Sequence, residues 1–208
     1  MQAKALYSQS ASTTDHPPSS LTPPIQAKGY PDISTRAFLH HLATTHNPQK
    51  PALPIYCLVD YDPDGIAIMS TYKHGSWNLS HESSQVLVPS IQWLGVRSCD
   101  IVSSADGEEY KGVLRLSGRD RHKARKMLEN NVVLGEEGRE SEWRREVQVM
   151  LMLNVKAEME VLAEREGGVA GWVEGRLLVQ GRHDSRMVVD DEDDVMTTGS
   201  DDDDDLGR

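Results

Sequence analysis

The stretch that most restricts the fold is "LPIYCLVDYDPDG", residues 53 to 65. A continuous apolar run, opened by proline and closed by acids, predicts a short strand buried on both faces, as in a parallel sheet. Gly65 then admits a helix over 65 to 74, with Ile66, Met69 and Tyr72 about one turn apart. Upstream, Asp32 is placed to cap a helix carrying Ile33, Ala37, Phe38 and Leu42, which Pro48 and Pro51 end. Downstream, "QVLVPSIQWLGV" predicts a second short strand, and Ser117-Gly118-Arg119-Asp120 has capping-box spacing for a helix through about Glu129. Trp143, Val147, Met150, Ala157 and Val161 mark one side of a longer helix from Glu142 to about Glu166, stopped by Gly167-Gly168. A last helix over 169 to 178 follows. The expected class is α/β: a parallel sheet flanked by helices, a helical C-terminal cover and disordered ends.

Charge and composition set the limits of that domain. The chain has 208 residues and a net charge of −11, but eleven acids against two arginines lie from Asp184 onward. Residues 1 to 183 hold 22 acids and 20 basic residues, so the acidity of the whole does not argue against nucleic-acid binding by the body. Residues 181 to 208 are expected to be a disordered acidic tail and 1 to 27 a flexible leader, the Ser/Thr/Pro-rich part being 8 to 24. That leaves 28 to 180 as the folded domain. Two cysteines without a CxxC spacing suggest neither a disulfide framework nor a zinc site. No run approaches the ~20 apolar residues of a membrane helix, and the first residues lack signal-peptide order, so a soluble, intracellular protein is expected.

Four chemistries suit three aspartates at alternate positions. Asp60, Asp62, Asp64 and Gly65 fit positions 1, 3, 5 and 6 of an EF-hand loop, but position 12 is Thr71 and a strand precedes where a helix is required. A strand-end DxD is also the pattern of haloacid-dehalogenase-like phosphatases, with Asp60 as nucleophile and Asp62 as acid/base. Their later acidic motif is matched only by "MVVDDEDD", inside the low-complexity tail. A third option places Asp60 and Asp62 at the carboxyl end of a central parallel strand, converging on one magnesium ion that meets a phosphate oxygen. The plainest option is a strand-to-helix turn in which one aspartate only caps the helix.

Beyond the acids, "KGYPDISTRAFLHHL", "LPIYCLVDYDPDGIAIMSTYKHGS", "VPSIQWLGV", "LSGRDRHKARKML" and "EWRREVQVMLMLNVKAEMEVL" occur in this order. Together they resemble the Toprim domain of the topoisomerase VI A-subunit family, and more closely its eukaryotic branch, which makes the double-strand breaks that start meiotic recombination. The resemblance covers about Lys28 to Leu178. It implies a Toprim fold and a type IIB topoisomerase-like DNA transesterase. In that family a tyrosine on an upstream winged helix attacks the phosphodiester, a dimer cuts both strands, and a first-strand glutamate and the DxD hold Mg2+. It therefore assigns Asp60 and Asp62 as metal ligands and gives Asp64 no such role.

The resemblance further implies duplex DNA, a homodimer, and a B-type ATPase subunit or meiotic accessory proteins as partners, with a nuclear, chromosomal location and no membrane. Any ATP hydrolysis belongs to that separate ATPase; no GxxxxGK loop occurs here. The first-strand glutamate and the arginine-led tyrosine motif have no counterpart in these residues, so no catalytic residue is assigned and the chain alone is expected not to cut DNA. The alternative from another class is a non-catalytic dimerisation or docking module that keeps the fold. Lys28, Arg36 and Lys73 are the candidate DNA contacts, with His74 and Arg119, Arg121, Lys123, Arg125 and Lys126 as further cations. A run such as "RDRHKARK" is more often a solvated helix face. His40 and His41 are expected on a helix surface, and Trp143 with the methionines at 150, 152 and 159 in core or interface.

Overall fold

The computed structural model describes residues 2–7, 25–45, 54–76, 84–102 and 112–187. Four strands form the main sheet: β1 (Gln2–Tyr7), β2 (Ile25–Lys28), β3 (Ile55–Leu58) and β4 (Ile91–Trp93), in the order β2-β1-β3-β4. β3 is interior and all four of its residues are buried, as an unalternating apolar run requires. It runs parallel to β4, with Cys57 opposite Trp93, and the connection carries α2 (Pro63–His74) in the usual βαβ manner. The described sheet is only partly parallel, because β1 and β2 pair antiparallel to their neighbours. β1 lies within the stretch read as a leader: "QAKALY" is too short to announce itself and gains its hydrogen bonds from the distant β3. Residues 8 to 24 lie outside the described residues.

α1 (Ile33–Thr44) starts at Asp32, whose side chain accepts from the Thr35 N–H at 2.7 Å. Its packing face differs from the expected one. Arg36 and Leu39 point inward, while Ile33 and Phe38 are exposed. His40 is half-buried rather than on the surface, its Nδ1 donating to the Leu87 carbonyl at 2.6 Å; His41 is exposed. α2 begins two positions ahead of Gly65 because Pro63 supplies a pre-set φ at the first turn.

The α3 helix (Ser98–Val102) follows β4. Strand β5 (Val113–Arg115) precedes α4 (Gly118–Asn130), whose capping box is complete: Ser117 Oγ accepts from the Asp120 N–H and Asp120 Oδ2 from the Ser117 N–H. The single long helix expected from 142 to 166 is broken. α5 (Ser141–Leu153) ends at Asn154, which takes the left-handed conformation at φ 53°, and the chain returns as β6 (Val155–Ala157), antiparallel to β5. Asparagine tolerates that conformation through local hydrogen bonding of its side chain. A 3-10 turn over Met159–Leu162 leads to α6 (Gly168–Met187), so Gly167 and Gly168, both at positive φ, open a helix. α6 passes the boundary at 180 expected for the acidic tail; 188 to 208 lie outside the described residues.

Core and site share one scaffold. Ile55, Leu58, Ile66, Met69, Trp93, Val147, Met150 and Val161 join the strands to α2, α5 and the 3-10 turn in one apolar cluster. Trp143 is buried, as expected, whereas Met152 is exposed. Among the described residues, no helix is long and apolar enough to cross a membrane.

Candidate functional site

Beyond β3 the chain stays extended long enough for side chains to alternate. Tyr61 forms a two-bond antiparallel bridge with Ala157, its N–H donating to the Ala157 carbonyl at 2.8 Å and its carbonyl accepting at 3.0 Å. The Tyr61 side chain is wholly buried and donates its hydroxyl to the Glu146 carbonyl. Alternation then sends Asp60 and Asp62 to the other side of the strand. The same register sets Asp60 across from Glu158 and Asp62 across from Lys156.

Each carboxylate is fixed by one backbone bond. Asp60 Oδ1 accepts from the Met159 N–H at 2.9 Å, and Asp62 Oδ1 accepts from the Gly65 N–H at 2.6 Å as the N-cap of α2. Neither Oδ2 has a hydrogen bond among the described residues. Two glycines allow this close packing. A Cβ on Gly65 would lie 2.3 Å from the Asp60 carbonyl oxygen, and one on Gly95 would lie 2.5 Å from that of Val59.

Burial and neighbouring acids act on both carboxyls. Burial raises Asp60 above the ordinary carboxylate range, the Met159 bond opposing and the charges of Glu158 and Glu160 adding to the rise. Burial likewise pushes Asp62 up to about 6, against the Gly65 bond, with Asp60 and Asp64 raising it further and Lys156 lowering it. Among the described residues the nearby lysine ammonium groups are engaged elsewhere. Lys156 Nζ lies 3.0 Å from Asp120 Oδ2, and Lys123 bonds Asp64 and, at 2.8 Å, the Tyr30 hydroxyl. Both lysines are held above their usual pKa: burial opposes the charge, but the bonds to Asp120, and to Asp64 and Tyr30, outweigh it. A half-buried and a buried carboxylate, each with one oxygen left and no ammonium bonded to it among the described residues, form a hard-oxygen donor pair of the kind that suits magnesium, which fills its remaining positions with water. Among the described residues no group of three or more His, Cys, Asp or Glu is arranged to hold a metal.

Of the predicted DNA contacts, Arg36 and Lys73 are not gathered at this site. Lys28 ends β2. Arg36 is only 2 % exposed, within the core side of α1. Lys73 pairs with Glu140 at 2.6 Å and lies 5.2 Å from the Trp143 ring centroid; His74 reaches the same Glu140 oxygen at 2.9 Å. Sequence reasoning misses Lys156, Glu158 and the Met159 N–H, because "NVKAEMEVL" continues a helical period and its return to the strand end depends on a distant bridge. Asp64, given no ligand role, is the partner of Lys123.

A family model for the Toprim domain of topoisomerase 6 A-subunit/Spo11 proteins matches residues 24–168. "Meiotic recombination protein SPO11-1" of Oryza sativa subsp. indica is 41% identical over 143 residues, covering 67% of this chain and 34% of the relative. The DNA topoisomerase 6 A3-subunit of the same rice is 36% identical over 139 residues, 67% of this chain and 29% of the relative. The DNA topoisomerase 6 A-subunit of Arabidopsis thaliana is 34% identical over 139 residues, 67% of this chain and 30% of the relative. The chain thus spans about a third of the length of these curated relatives.

Proposed function

Because the chain belongs to the topoisomerase 6 A-subunit/Spo11 family, we propose that it is the Toprim portion of a meiotic break-forming, type IIB topoisomerase-like protein, holding Mg2+ through Asp60 and Asp62 and contacting duplex DNA. Toprim domains generally bind Mg2+, and the supporting observation here is the half-buried Asp60 and buried Asp62 carboxylates, which each keep Oδ2 without a hydrogen bond among the described residues. Bound there, the ion supplies charge stabilisation on a phosphate oxygen. The chain's own residues do the positioning. The Met159 N–H orients Asp60, the α2 N-terminus orients Asp62, and Lys156 adds positive charge opposite Asp62.

Residues 28 to 180 form the Toprim unit in this reading. Its partners are duplex DNA, a second copy, and a B-type ATPase subunit or meiotic accessory proteins, and it works on chromosomes in the nucleus. Residues 1 to 208 alone leave DNA uncut. Among the tyrosines whose side chains are described, Tyr56, Tyr61 and Tyr72 are buried and the Tyr30 hydroxyl accepts from Lys123, which supports that expectation.

Fluorescence anisotropy with a short duplex, with and without magnesium, tests the assignment. The chain should bind, magnesium should tighten binding, and Asp60→Asn should remove the magnesium effect alone. Absence of duplex binding at every salt concentration sinks the proposal, as does a magnesium effect unchanged in Asp60→Asn. Incubation with supercoiled plasmid and magnesium should leave no covalent protein–DNA adduct; an adduct on any tyrosine overturns the inactive assignment.

A further inference from the structure

α4 separates the basic run "RDRHKARK" into two populations. Arg121 and Lys123 are used internally: Arg121 Nη1 donates to the Leu116 carbonyl at 2.7 Å and to Asn154 Oδ1 at 3.2 Å, and Lys123 bonds Asp64 and Tyr30. Arg119, His122, Arg125 and Lys126 are exposed and have no ion pair or hydrogen bond among the described residues. At 100° per residue, Arg119, His122 and Lys126 follow one another at i, i+3 and i+7, with Arg125 beside them, so the four share one outward stripe.

An ordinary solvated face would mix signs. Here the helix has two acids, and Asp120 is turned inward to Lys156. Only Glu129, near the far end, shares the exposed side. Like charges one turn apart weaken a helix, and His122–Lys126 and His122–Arg125 are such pairs when the histidine is protonated. A stripe of three or four cations with a single acid suits a regular polyanion.

Its location favours one. The inner side of α4 is tied to the carboxylate site twice, through Asp120 to Lys156 across from Asp62 and through Lys123 to Asp64 beside it. We infer that the outer face of α4, through Arg119, Arg125 and Lys126, with His122 between them, is a track for the phosphate backbone of duplex DNA, on the helix whose inner side is tied to the Asp60/Asp62 site. This inference rests on the proposed duplex binding and adds which surface performs it.

The test is anisotropy of the full chain on a short duplex across a salt series. Each lost phosphate contact lowers the slope of log affinity against log salt by about 0.9. The triple variant Arg119→Gln, Arg125→Gln, Lys126→Gln should lose about 2 to 3 from the slope and should melt no earlier than the parent. A parent that binds and a triple variant with an unchanged slope overturn this surface while leaving duplex binding standing; a parent that never binds overturns both. The rival occupant is the chain's own acidic segment. If replacing Asp201 to Asp205 by asparagine in the full chain tightens DNA binding while the triple variant keeps the parent's slope, the stripe belongs to that segment and the DNA assignment falls.

Discussion

Replacing Asp62 by asparagine should stabilise the metal-free protein at neutral pH. Burial pushes the Asp62 carboxyl from 3.8 up to about 6 in the folded state. At about 1.36 kcal/mol per unit, ionising it in place costs about 3 kcal/mol. The sign follows from linkage. Between pH 3.8 and 6 the folded chain holds this proton more often than the unfolded chain, so stability falls as pH rises through that window and stays lower above it. Asparagine removes the charge and still caps a helix about as well as aspartate. It forfeits about 0.3–1 kcal/mol of charge–dipole attraction at the α2 N-terminus. The net gain at pH 7 is about 2 kcal/mol, or about 4–8 °C in Tm for a chain of this size. Urea melts followed by circular dichroism at pH 7 and pH 4, in chelator, measure it, and at pH 4 the gain should shrink toward zero. Adding magnesium should stabilise the parent and leave the variant unmoved. A variant less stable than the parent at pH 7, or one with the same gain at both pH values, would refute the reasoning.

Gly65→Ala, which would favour an ordinary helix, should instead destabilise by roughly 1–3 kcal/mol, because its Cβ would meet the Asp60 carbonyl oxygen; a urea melt showing a gain contradicts this. Tyr61→Phe loses the bond to the Glu146 carbonyl and should cost about 1 kcal/mol while leaving magnesium affinity unchanged, since that ring lies opposite the carboxylates. Burial pushes the Cys57 thiol up to about 12, so a thiol reagent should titrate only Cys99 in the native chain and both cysteines after unfolding.

Legibility followed locality. The strand ending in Asp60-Tyr61-Asp62 and the helix after it are readable because burial on both faces demands a continuous apolar run, and proline, glycine and aspartate mark the helix start nearby. The capping box at Ser117 is readable for the same reason. β1 is not, since its place beside β3 is set by pairing across the sequence. The break at Asn154 is hidden because Ala157 and Val161, though on β6 and the 3-10 turn, are buried at a spacing that continues the α5 period. The site follows suit: both aspartates are visible in the sequence, while Lys156 and Glu158 emerge only through the Tyr61–Ala157 bridge. Arg36 shows the converse error, a cation taken for surface that the helix turns inward.

Titration of the metal-free chain with Mn2+, read as the loss of the free-ion signal in electron paramagnetic resonance, reports directly on whether Asp60 and Asp62 share a divalent ion. The account predicts one bound ion per chain, displaced by excess Mg2+, with affinity at least about tenfold weaker in Asp60→Asn and in Asp62→Asn. One ion bound with the parent's affinity in both variants would contradict it.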